Sequence, residues 1–513
     1  MQSTERKTAE HLDVLIIGAG ISGLGMCYTL KKHRQNDSFA VIESRNSIGG
    51  TWDFFKYPGL RSDSDMYTFA YSFKPWKERE YIGSADRINN YLRELVEEEN
   101  LRKHIRFRQR VVNVSWCSKT DRWTCTIRRF DTSEYKVSCK FLVSCTGYYN
   151  YENGYLPKFE GHNKFKGDII HPQKWPENYD YKNKRIVVIG SGATAVTLVP
   201  KLADKARHVV MLQRSPTYIY NRPSSDGVYR FLSSFLPAKL TNKIMRAKYV
   251  LLQQATYFLS KRFPDFIAKV IRKDTAKALN DDIDVDTHFK PRYKPWDQRV
   301  CMVPDGDLFE CLNSGSASIV TAHIDAFTEE GVKLKNGRHI DADVIVTATG
   351  LEIQLWGGMS VEVDGQKVIP NSLTNYKGMM FSNIPNLLMI FGYTNSSWTL
   401  KAELTYQYIC RLFNYLEKNH YSSVYPYLEE EQESEGIVDL NSGYILRAAP
   451  TVPKQGLHFP WRNKDFYLKD LMAIKYSGIA DGVLRFDDTQ HLSAFHRQAA
   501  EKRYQTNDIG EAS

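Results

Sequence analysis

Leu12-Asp-Val-Leu-Ile-Ile-Gly18-Ala-Gly20-Ile-Ser-Gly23 is the stretch that decides the fold. Its first half is a short apolar run, as a buried parallel strand requires, and three glycines follow at G-x-G-x-x-G spacing. Gly18 permits a tight turn, Gly20 lets a pyrophosphate approach the backbone, and Gly23 lets a helix pack closely on the strand. The helix is expected from about Ile21 to His33, with its positive N-terminus at the phosphate.

A second apolar run, Ser38-Phe-Ala-Val-Ile-Glu43, ends in an acid 20 residues after Gly23. A carboxylate in that place accepts hydrogen bonds from the ribose hydroxyls of an adenosine. A lone glycine motif is a weak signal. Here strand, glycine loop, helix, strand and acid follow in order, so the sequence predicts a dinucleotide-binding module.

The same order of elements recurs at Lys184-Arg-Ile-Val-Val-Ile-Gly190-Ser-Gly192-Ala-Thr-Ala195, where alanine takes the third glycine position. The strand that follows, His208-Val-Val-Met-Leu, ends at Gln213-Arg214 instead of an acid. Arg214 can pair through its planar guanidinium with a 2′-phosphate, which NADPH carries and NADH lacks. Two complete modules separated by a linker suggest one for FAD and one for NADPH, in that order.

A chain of 513 residues is too long for one core, so we expect an α/β protein with two Rossmann-like domains and a helical insert. The expected segments are an FAD-binding domain at 1–150, a linker at 151–180, an NADP-binding domain at 181–370 with a helical insert at 228–279, and a second FAD segment with a C-terminal tail at 371–513.

The eight cysteines form no C-x-x-C pair and no metal-type spacing. This favours reduced thiols and no metal site, and it argues against a dithiol–disulfide flavoenzyme. No apolar run reaches the ~18 residues of a membrane span, and residues 1–10 are polar, unlike a signal peptide. A cytoplasmic protein is expected. Peripheral contact with the inner face of the cell membrane stays open as a further interpretation.

The net charge of +10 is concentrated, because residues 239–277 hold ten Lys or Arg and only two acids. The rest of the chain is near neutral, which argues against nucleic-acid binding through a general basic surface. The 228–279 region is predicted to be helical, interrupted by Pro237 and Pro264. Two interpretations stay open: a helical subdomain packed on the nucleotide domain, or a basic amphipathic surface that rests on anionic lipid or admits apolar substrates.

Between the two modules lies Phe165-Lys-Gly167-Asp-Ile-Ile-His171-Pro-Gln-Lys-Trp175-Pro. The pattern F-x-G-x-x-x-H-x-x-x-W-P resembles the fingerprint of Baeyer–Villiger monooxygenases. Flavin-containing monooxygenases usually carry Tyr or Phe in place of Trp175. The resemblance is greatest to the ethionamide-activating and flavin-binding long-chain alkane monooxygenases. We assign His171 to the geometry of the linker, not to acid–base catalysis.

A second motif, Gly49-Gly-Thr51-Trp52-Asp53-Phe54-Phe-Lys-Tyr-Pro-Gly-Leu-Arg61-Ser62-Asp63, also resembles this family, in which the loop runs along the flavin. By the same resemblance Arg299 matches the active-site arginine, with Asp63 as its partner. Many relatives have Lys just before that arginine, where this chain has Gln298. The departure weakens the argument for a phosphate site there and leaves Arg214 to carry it.

Together the motifs and the resemblance assign two sets of cofactor-binding residues. The FAD set is Gly18, Gly20, Ser22, Gly23, Glu43, Thr51, Trp52, Asp53, Phe54, Asp63 and Val111. The NADP set is Arg61, Ser62, Gly190, Ser191, Gly192, Ala193, Thr194, Ala195, Val196, Gln213 and Arg214.

The resemblance implies an NADPH- and dioxygen-dependent FAD monooxygenase that converts ketones to esters or lactones and oxygenates sulfides or thioamides. Arg299 would then stabilise negative charge on oxygen, with Asp63 positioning it. Three alternatives stay open: a monooxygenase restricted to sulfur and nitrogen, a monooxygenase of long alkyl chains, and a flavoprotein that binds FAD without turnover.

Overall fold

The computed structural model contains two large sheets, one for each glycine module. The central strands of each sheet pair in parallel. The structure describes residues 10–429, 433–436, 442–463, 465–489, 492–498 and 501. The polar N-terminus through residue 9 and, apart from residue 501, the tail beyond residue 498 lie outside these ranges. No helix among the described residues is long and apolar enough to cross a bilayer.

The first sheet is built around the strand Glu10–Ile17, which pairs in parallel with Phe39–Ile42 on one side and Glu134–Ser144 on the other. Leu15 and Ile16 of this strand are fully buried, as the continuous apolar run predicts. Across the sheet the strand order is Gln366–Lys367, Ser360–Val363, Gln109–Cys117, Arg122–Arg129, Glu134–Ser144, Glu10–Ile17, Phe39–Ile42 and Ile105–Arg106. Leu387–Met389 also pairs with Glu134–Ser144, in parallel, and returns the chain to this sheet late in the sequence.

The second sheet is parallel throughout, which places the carboxyl ends of its strands at one edge. Its strand order is Ala317–Thr321, His208–Gln213, Arg185–Ile189, Val344–Thr347 and Asp168–Ile170. The last strand belongs to the stretch expected as a linker, so part of that linker is an edge strand of the second sheet. The chain also enters the first sheet at Ser360, ten residues before the boundary expected at 370.

The insert, which we define as residues 227–278, contains the three helices Gly227–Ser233, Ala238–Arg262 and Pro264–Ala278. Pro237 and Pro264 separate them, and Pro264 takes a first-turn position where its missing N–H costs nothing. The Arg246 side chain donates to the carbonyl oxygen of Ala70 at 2.8 Å and pairs with Glu403 at 2.7 Å, which fixes the insert to the first module.

The other helices are Ile21–His33, Thr51–Phe54, Met66–Phe69, Ala85–Glu98, Ala193–Ala203, Val285–His288, Asp307–Asn313, Trp398–Lys418, Gly443–Ala448 and Tyr467–Asp470. Six small sheets complete the described structure. Their strands are Tyr149–Gly154 with Leu351–Ile353, Ile219–Arg222 with Cys301–Pro304, Ile324–Phe327 with Gly331–Leu334 and His339–Asp341, Asn375–Tyr376 with Met380–Phe381, Val424–Pro426 with Leu484–Phe486, and Ser434–Gly436 with Lys454–Gly456.

Candidate active site

A cavity of about 510 Å³ lies where the two modules meet. Its wall contains Gly18 and Gly20 of the first glycine loop, the aromatic loop that ends at Asp63, and Ala193 and Thr194 at the start of the helix Ala193–Ala203. Both predicted modules therefore border a single cavity.

Both helices that follow the glycine loops begin without a side-chain cap and with no acidic residue in the first turn. Their capping residues are Gly20 and Gly192, which have no side chain to satisfy the first backbone N–H groups. Free N–H groups and the positive end of a helix suit a phosphate. This donor set fits the pyrophosphates of two dinucleotides.

The first glycine loop and the aromatic loop contact each other through Gly20 and Gly50. Gly50 has a φ of +55°, and a Cβ built there would lie 3.0 Å from the Cα of Gly20. Only glycine fits this approach without a shift of the backbone. The contact holds the aromatic loop against the place expected for the dinucleotide.

Most of the predicted FAD set lies in the cavity wall: Gly18, Gly20, Ser22, Glu43, Thr51, Trp52, Phe54, Asp63 and Val111. The buried Glu43 carboxylate accepts the Ala19 N–H at 2.7 Å and the Arg45 N–H at 2.8 Å, so it also fixes the glycine turn. Gly23 is packed against the strand, where an added Cβ would lie 1.8 Å from the Gly18 carbonyl oxygen.

Asp53, predicted in the same set, lies outside the cavity wall. Its buried carboxylate pairs with Arg45 at 2.7 Å and accepts the Ser47 hydroxyl at 2.5 Å. The Arg45 guanidinium also donates to the Gly50 carbonyl oxygen at 3.3 Å. Asp53 therefore fastens the aromatic loop from behind, a role that the motif alone did not reveal.

Arg299 and Asp63, 236 residues apart in sequence, form an ion pair at 2.7 Å in the cavity wall. Their side chains keep exposed fractions of 36% and 45%, and both line the cavity. The carboxylate of Asp63 raises the pKa of the Arg299 guanidinium further above its usual value, so the arginine stays charged. The structure thus brings together the two residues predicted to be catalytic.

A group of tyrosines near Arg299 escaped the sequence analysis. The hydroxyls of Tyr148 and Tyr149 lie 2.8 Å apart, and Tyr444 interacts with Tyr148. Burial raises the pKa of all three phenols, so they remain protonated at neutral pH. Tyr148 and Tyr149 lie four and five residues after the strand Glu134–Ser144 of the first sheet, and that position near a carboxyl end was the available signal. Tyr444 lies in a later segment, and no sequence pattern around it indicated a place near Arg299.

The predicted NADP set is divided between the cavity and the second sheet. Arg61, Ser62, Ala193, Thr194 and Val196 lie in the cavity wall. Arg61 is held by Asp307 at the start of the helix Asp307–Asn313. Gly190, Ser191, Gly192 and Ala195 lie outside the wall; Ala195 is fully buried in the core of the second module.

Gln213 and Arg214 follow one another but point to different surroundings. The Gln213 side chain is buried and donates to the His288 carbonyl oxygen at 2.8 Å and to Thr321 at 2.9 Å. Arg214 is exposed, and no ion pair engages it in the described part of the chain. The Ser191 hydroxyl donates to the Ser215 carbonyl oxygen at 3.1 Å, which places Arg214 beside the second glycine loop.

The fingerprint residues belong to the second module. Phe165 and Trp175 are buried in its two clusters, and a Cβ at Gly167 would lie 2.3 Å from the Asp343 carbonyl oxygen. His171 accepts the Gln173 N–H on Nδ1 at 3.2 Å, and its Nε2 lies 3.2 Å from the Gly350 carbonyl oxygen. His171 thereby joins the linker to a strand end, and it does not line the cavity.

Replacing His171 with glutamine is expected to lower stability by about 1–2 kcal/mol, since at least one of its two hydrogen bonds is lost. Burial lowers the pKa of His171, so its neutral form stabilises the fold above about pH 6.5, and this contribution is lost as the pH falls below that value. Thermal unfolding at several pH values checks both effects. The dependence of the turnover rate on pH should be the same in this variant as in the wild type. If the variant lost the acidic or the basic limb of that profile, His171 would take part in acid–base catalysis. The exposed His323→Gln is the control.

Residues 11–418 match the protein family described as FMO-like, flavin-binding monooxygenase-like. The chain belongs to this family. It is 47% identical over 481 residues to the probable FAD-binding monooxygenase AlmA of Acinetobacter baylyi, covering 93% of this chain and 96% of that protein. It is 46% identical over 479 residues to the FAD-containing monooxygenase EthA of Mycobacterium tuberculosis, covering 93% and 98%.

Two solved structures share the fold of this monooxygenase. An oxidized steroid monooxygenase bound to NADP matches with a TM-score of 0.72 at 22% identity, covering 93% of this chain and 99% of that one. Cyclohexanone monooxygenase from Rhodococcus sp. Phi1 bound to NADP+ matches with a TM-score of 0.70 at 19% identity, with the same coverages. The predicted fold class is confirmed, and so is the prediction of an FAD-containing, NADPH-dependent monooxygenase.

Proposed function

We propose that this monooxygenase inserts one oxygen atom of dioxygen into ketones, giving esters or lactones, and oxygenates sulfides or thioamides. The observation that carries the proposal is the Arg299–Asp63 pair in the wall of the cavity shared by the two modules. A fixed positive charge at that place stabilises an oxygen anion, which a ketone oxygenation needs and a simple hydride transfer does not.

FAD, when bound and reduced by NADPH, supplies the chemistry that activates dioxygen. Gly18, Gly20 and Glu43 would hold its pyrophosphate and ribose, and the aromatic loop would lie along its ring. Arg214, beside the second glycine loop, would hold the 2′-phosphate of NADPH. The resulting reaction balances: ketone, O₂, NADPH and H⁺ give ester, NADP⁺ and water.

Arg299 contributes charge at two moments in this reaction. Its guanidinium favours the anionic form of the attacking oxygen, and it then stabilises the oxyanion that forms when this oxygen adds to the carbonyl carbon. Asp63 holds the guanidinium in place from one side at 2.7 Å. The hydrogen bond to Asp63 uses only part of the five N–H donors of the Arg299 guanidinium. The other N–H groups remain for the negatively charged oxygen.

The tyrosine hydroxyls add neutral hydrogen-bond donors beside this charge. With pKa values raised by burial, Tyr148 and Tyr149 donate and do not act as bases at neutral pH. Tyr148 stacks on Trp398, whose indole N–H donates to Ser22 at 2.8 Å, so the aromatic wall is tied to the first helix. Such a wall limits the access of water to the reacting oxygen.

Oxygenation of sulfur would use the same cavity without the oxyanion. A sulfide attacks an electrophilic oxygen, so it depends less on the charge of Arg299 than a ketone does. This difference makes the ratio of ketone to sulfide turnover a measure of the role of Arg299.

The test is to incubate the purified holoenzyme with NADPH and oxygen, offering phenylacetone, a thioether and a long-chain alkane separately, and to identify the products. Benzyl acetate from phenylacetone and a sulfoxide from the thioether are expected. Alcohol from the alkane alone would favour a monooxygenase of long alkyl chains. NADPH consumption that gives only hydrogen peroxide with all three substrates would refute the proposal.

A further inference from the structure

The insert carries an unusual share of the exposed apolar surface. Of the nineteen large hydrophobic side chains that the described residues expose, eleven lie between Val228 and Val270. Phe231 and Phe266 are 68% and 66% exposed. Scattered exposed leucines need no explanation, but a concentration of this kind in one structural element marks an interaction surface.

The longest helix of the insert, Ala238–Arg262, carries a second apolar stripe on its outward side. Leu240, Ile244, Leu251 and Phe258 are all exposed, and their spacing of four, seven and seven residues places them within an arc of about 40°. The inward side buries the apolar residues Met245, Tyr249 and Val250 together with the polar residues Thr241, Asn242, Gln254 and Ser260. A helix that packs only on its own protein has a polar outward face, so this outward apolar stripe is suited to a second, apolar environment.

The same surface is strongly basic. Residues 239–277 contain ten Lys or Arg and only two acids, a net charge of +8 within this segment. Arg246, Lys248, Lys261 and Arg272 have carboxylate partners. In the described part of the chain no ion pair engages the remaining lysines, which are Lys239, Lys243, Lys269, Lys273 and Lys277. The unpaired charges and the apolar stripe belong to the same pair of helices.

We propose that the insert docks the enzyme on the surface of a lipid bilayer that contains anionic lipids. Exposed apolar side chains enter the region between headgroups and acyl chains, and lysines around them pair with the anionic headgroups. A second copy of this chain is a poor occupant, because a symmetric contact would bring the unpaired lysines of the two copies together.

The docking surface is connected directly to the active site. On the inward side of the long helix, the Gln254 amide donates to the Ser396 hydroxyl at 3.2 Å, and Ser396 lines the cavity. Near its end, Lys261 donates to the carbonyl oxygen of Trp296 at 3.1 Å, three residues before Arg299. Docking therefore places the cavity close to the bilayer, which favours substrates that partition into lipid.

The experiment is flotation of the FAD-loaded enzyme with vesicles of phosphatidylcholine alone or with phosphatidylglycerol added. Binding to the anionic vesicles is expected to be at least tenfold stronger, and it should fall as salt is raised because screening weakens the lysine contacts. Leu251→Glu should reduce binding at least tenfold. The combined variant Lys243→Ala, Lys269→Ala and Lys273→Ala should reduce it only on anionic vesicles.

The matched control is Phe130→Glu, because Phe130 is 81% exposed but lies on a turn of the first sheet. It should float like the wild type. Turnover of a water-soluble ketone by every variant verifies that the fold is intact. The proposal is overturned if the wild type does not float with anionic vesicles, or if Leu251→Glu floats as well as Phe130→Glu. It is also overturned if Leu251→Glu changes only the sedimentation coefficient, since the stripe would then join copies of this chain.

Discussion

Replacing Arg299 with alanine is expected to lower ketone oxygenation by about 10²–10³-fold while NADPH still reduces the bound flavin. The guanidinium lies in the wall of the shared cavity and is paired with Asp63 at 2.7 Å, so its removal takes away a preorganised charge from the oxygen anion. Loss of one such contact costs about 3–4 kcal/mol in transition-state stabilisation. Reduction of the flavin by hydride has no oxyanion and should change far less.

Two measurements separate these steps. Stopped-flow absorbance under anaerobic conditions follows the reduction of the flavin by NADPH, and chromatography of the products follows the ester. The variant should consume NADPH and oxygen but release hydrogen peroxide in place of ester. Arg292→Ala is the control, because Arg292 is an exposed arginine on the same loop. Ester formation at the wild-type rate by Arg299→Ala would disprove the assignment.

Substitutions at Asp63 would show whether it positions Arg299 or serves only as a counter-charge. Asp63→Asn keeps an oxygen that can accept the Arg299 N–H, whereas Asp63→Ala keeps neither charge nor acceptor. If orientation is what matters, Asn should retain much more ester formation than Ala. The ketone-to-sulfide ratio supplies a readout that general loss of stability would not move.

Local sequence patterns were sufficient for the parts of the fold that depend on neighbours in the chain. The helix Ile21–His33 has the bounds that were expected from the sequence. Pro237 and Pro264 mark the helix boundaries of the insert because the ring excludes them from a helix interior. The loop that ends at Asp63 and the distant Arg299 were paired by resemblance to a family, and the structure places them in contact.

Features that depend on contacts between distant segments could not be predicted from local sequence patterns. The sequence around Ser360 does not show that it pairs with Gln109–Cys117 in the first sheet, because strand pairing partners leave no local pattern. Asp53 sits in a cofactor motif but turns to Arg45, and Gln213 follows a nucleotide strand but is used inside the core. Tyr444 reaches the site from the last part of the chain.

We expect Arg214 to decide the choice of coenzyme in the second module, and its replacement by alanine is expected to lower kcat/KM for NADPH about 30- to 100-fold. A guanidinium paired with a phosphate makes charge-assisted hydrogen bonds that contribute about 2–3 kcal/mol. NADH has no 2′-phosphate, so its kcat/KM should change less than threefold. Steady-state rates with both coenzymes over a range of concentrations measure the ratio.

The structure makes this expectation specific to Arg214. Gln213 is occupied by His288 and Thr321, and the expected lysine before Arg299 is Gln298, so Arg214 is the exposed cation that the described residues place beside the Ser191 loop. Arg207→Ala is the matched control, because Arg207 is also exposed but precedes the same strand at its opposite end. Equal losses with NADPH and NADH would mean that Arg214 supports the loop and does not read the phosphate. Arg214→Lys should keep part of the preference, since an ammonium retains the charge but not the planar fork.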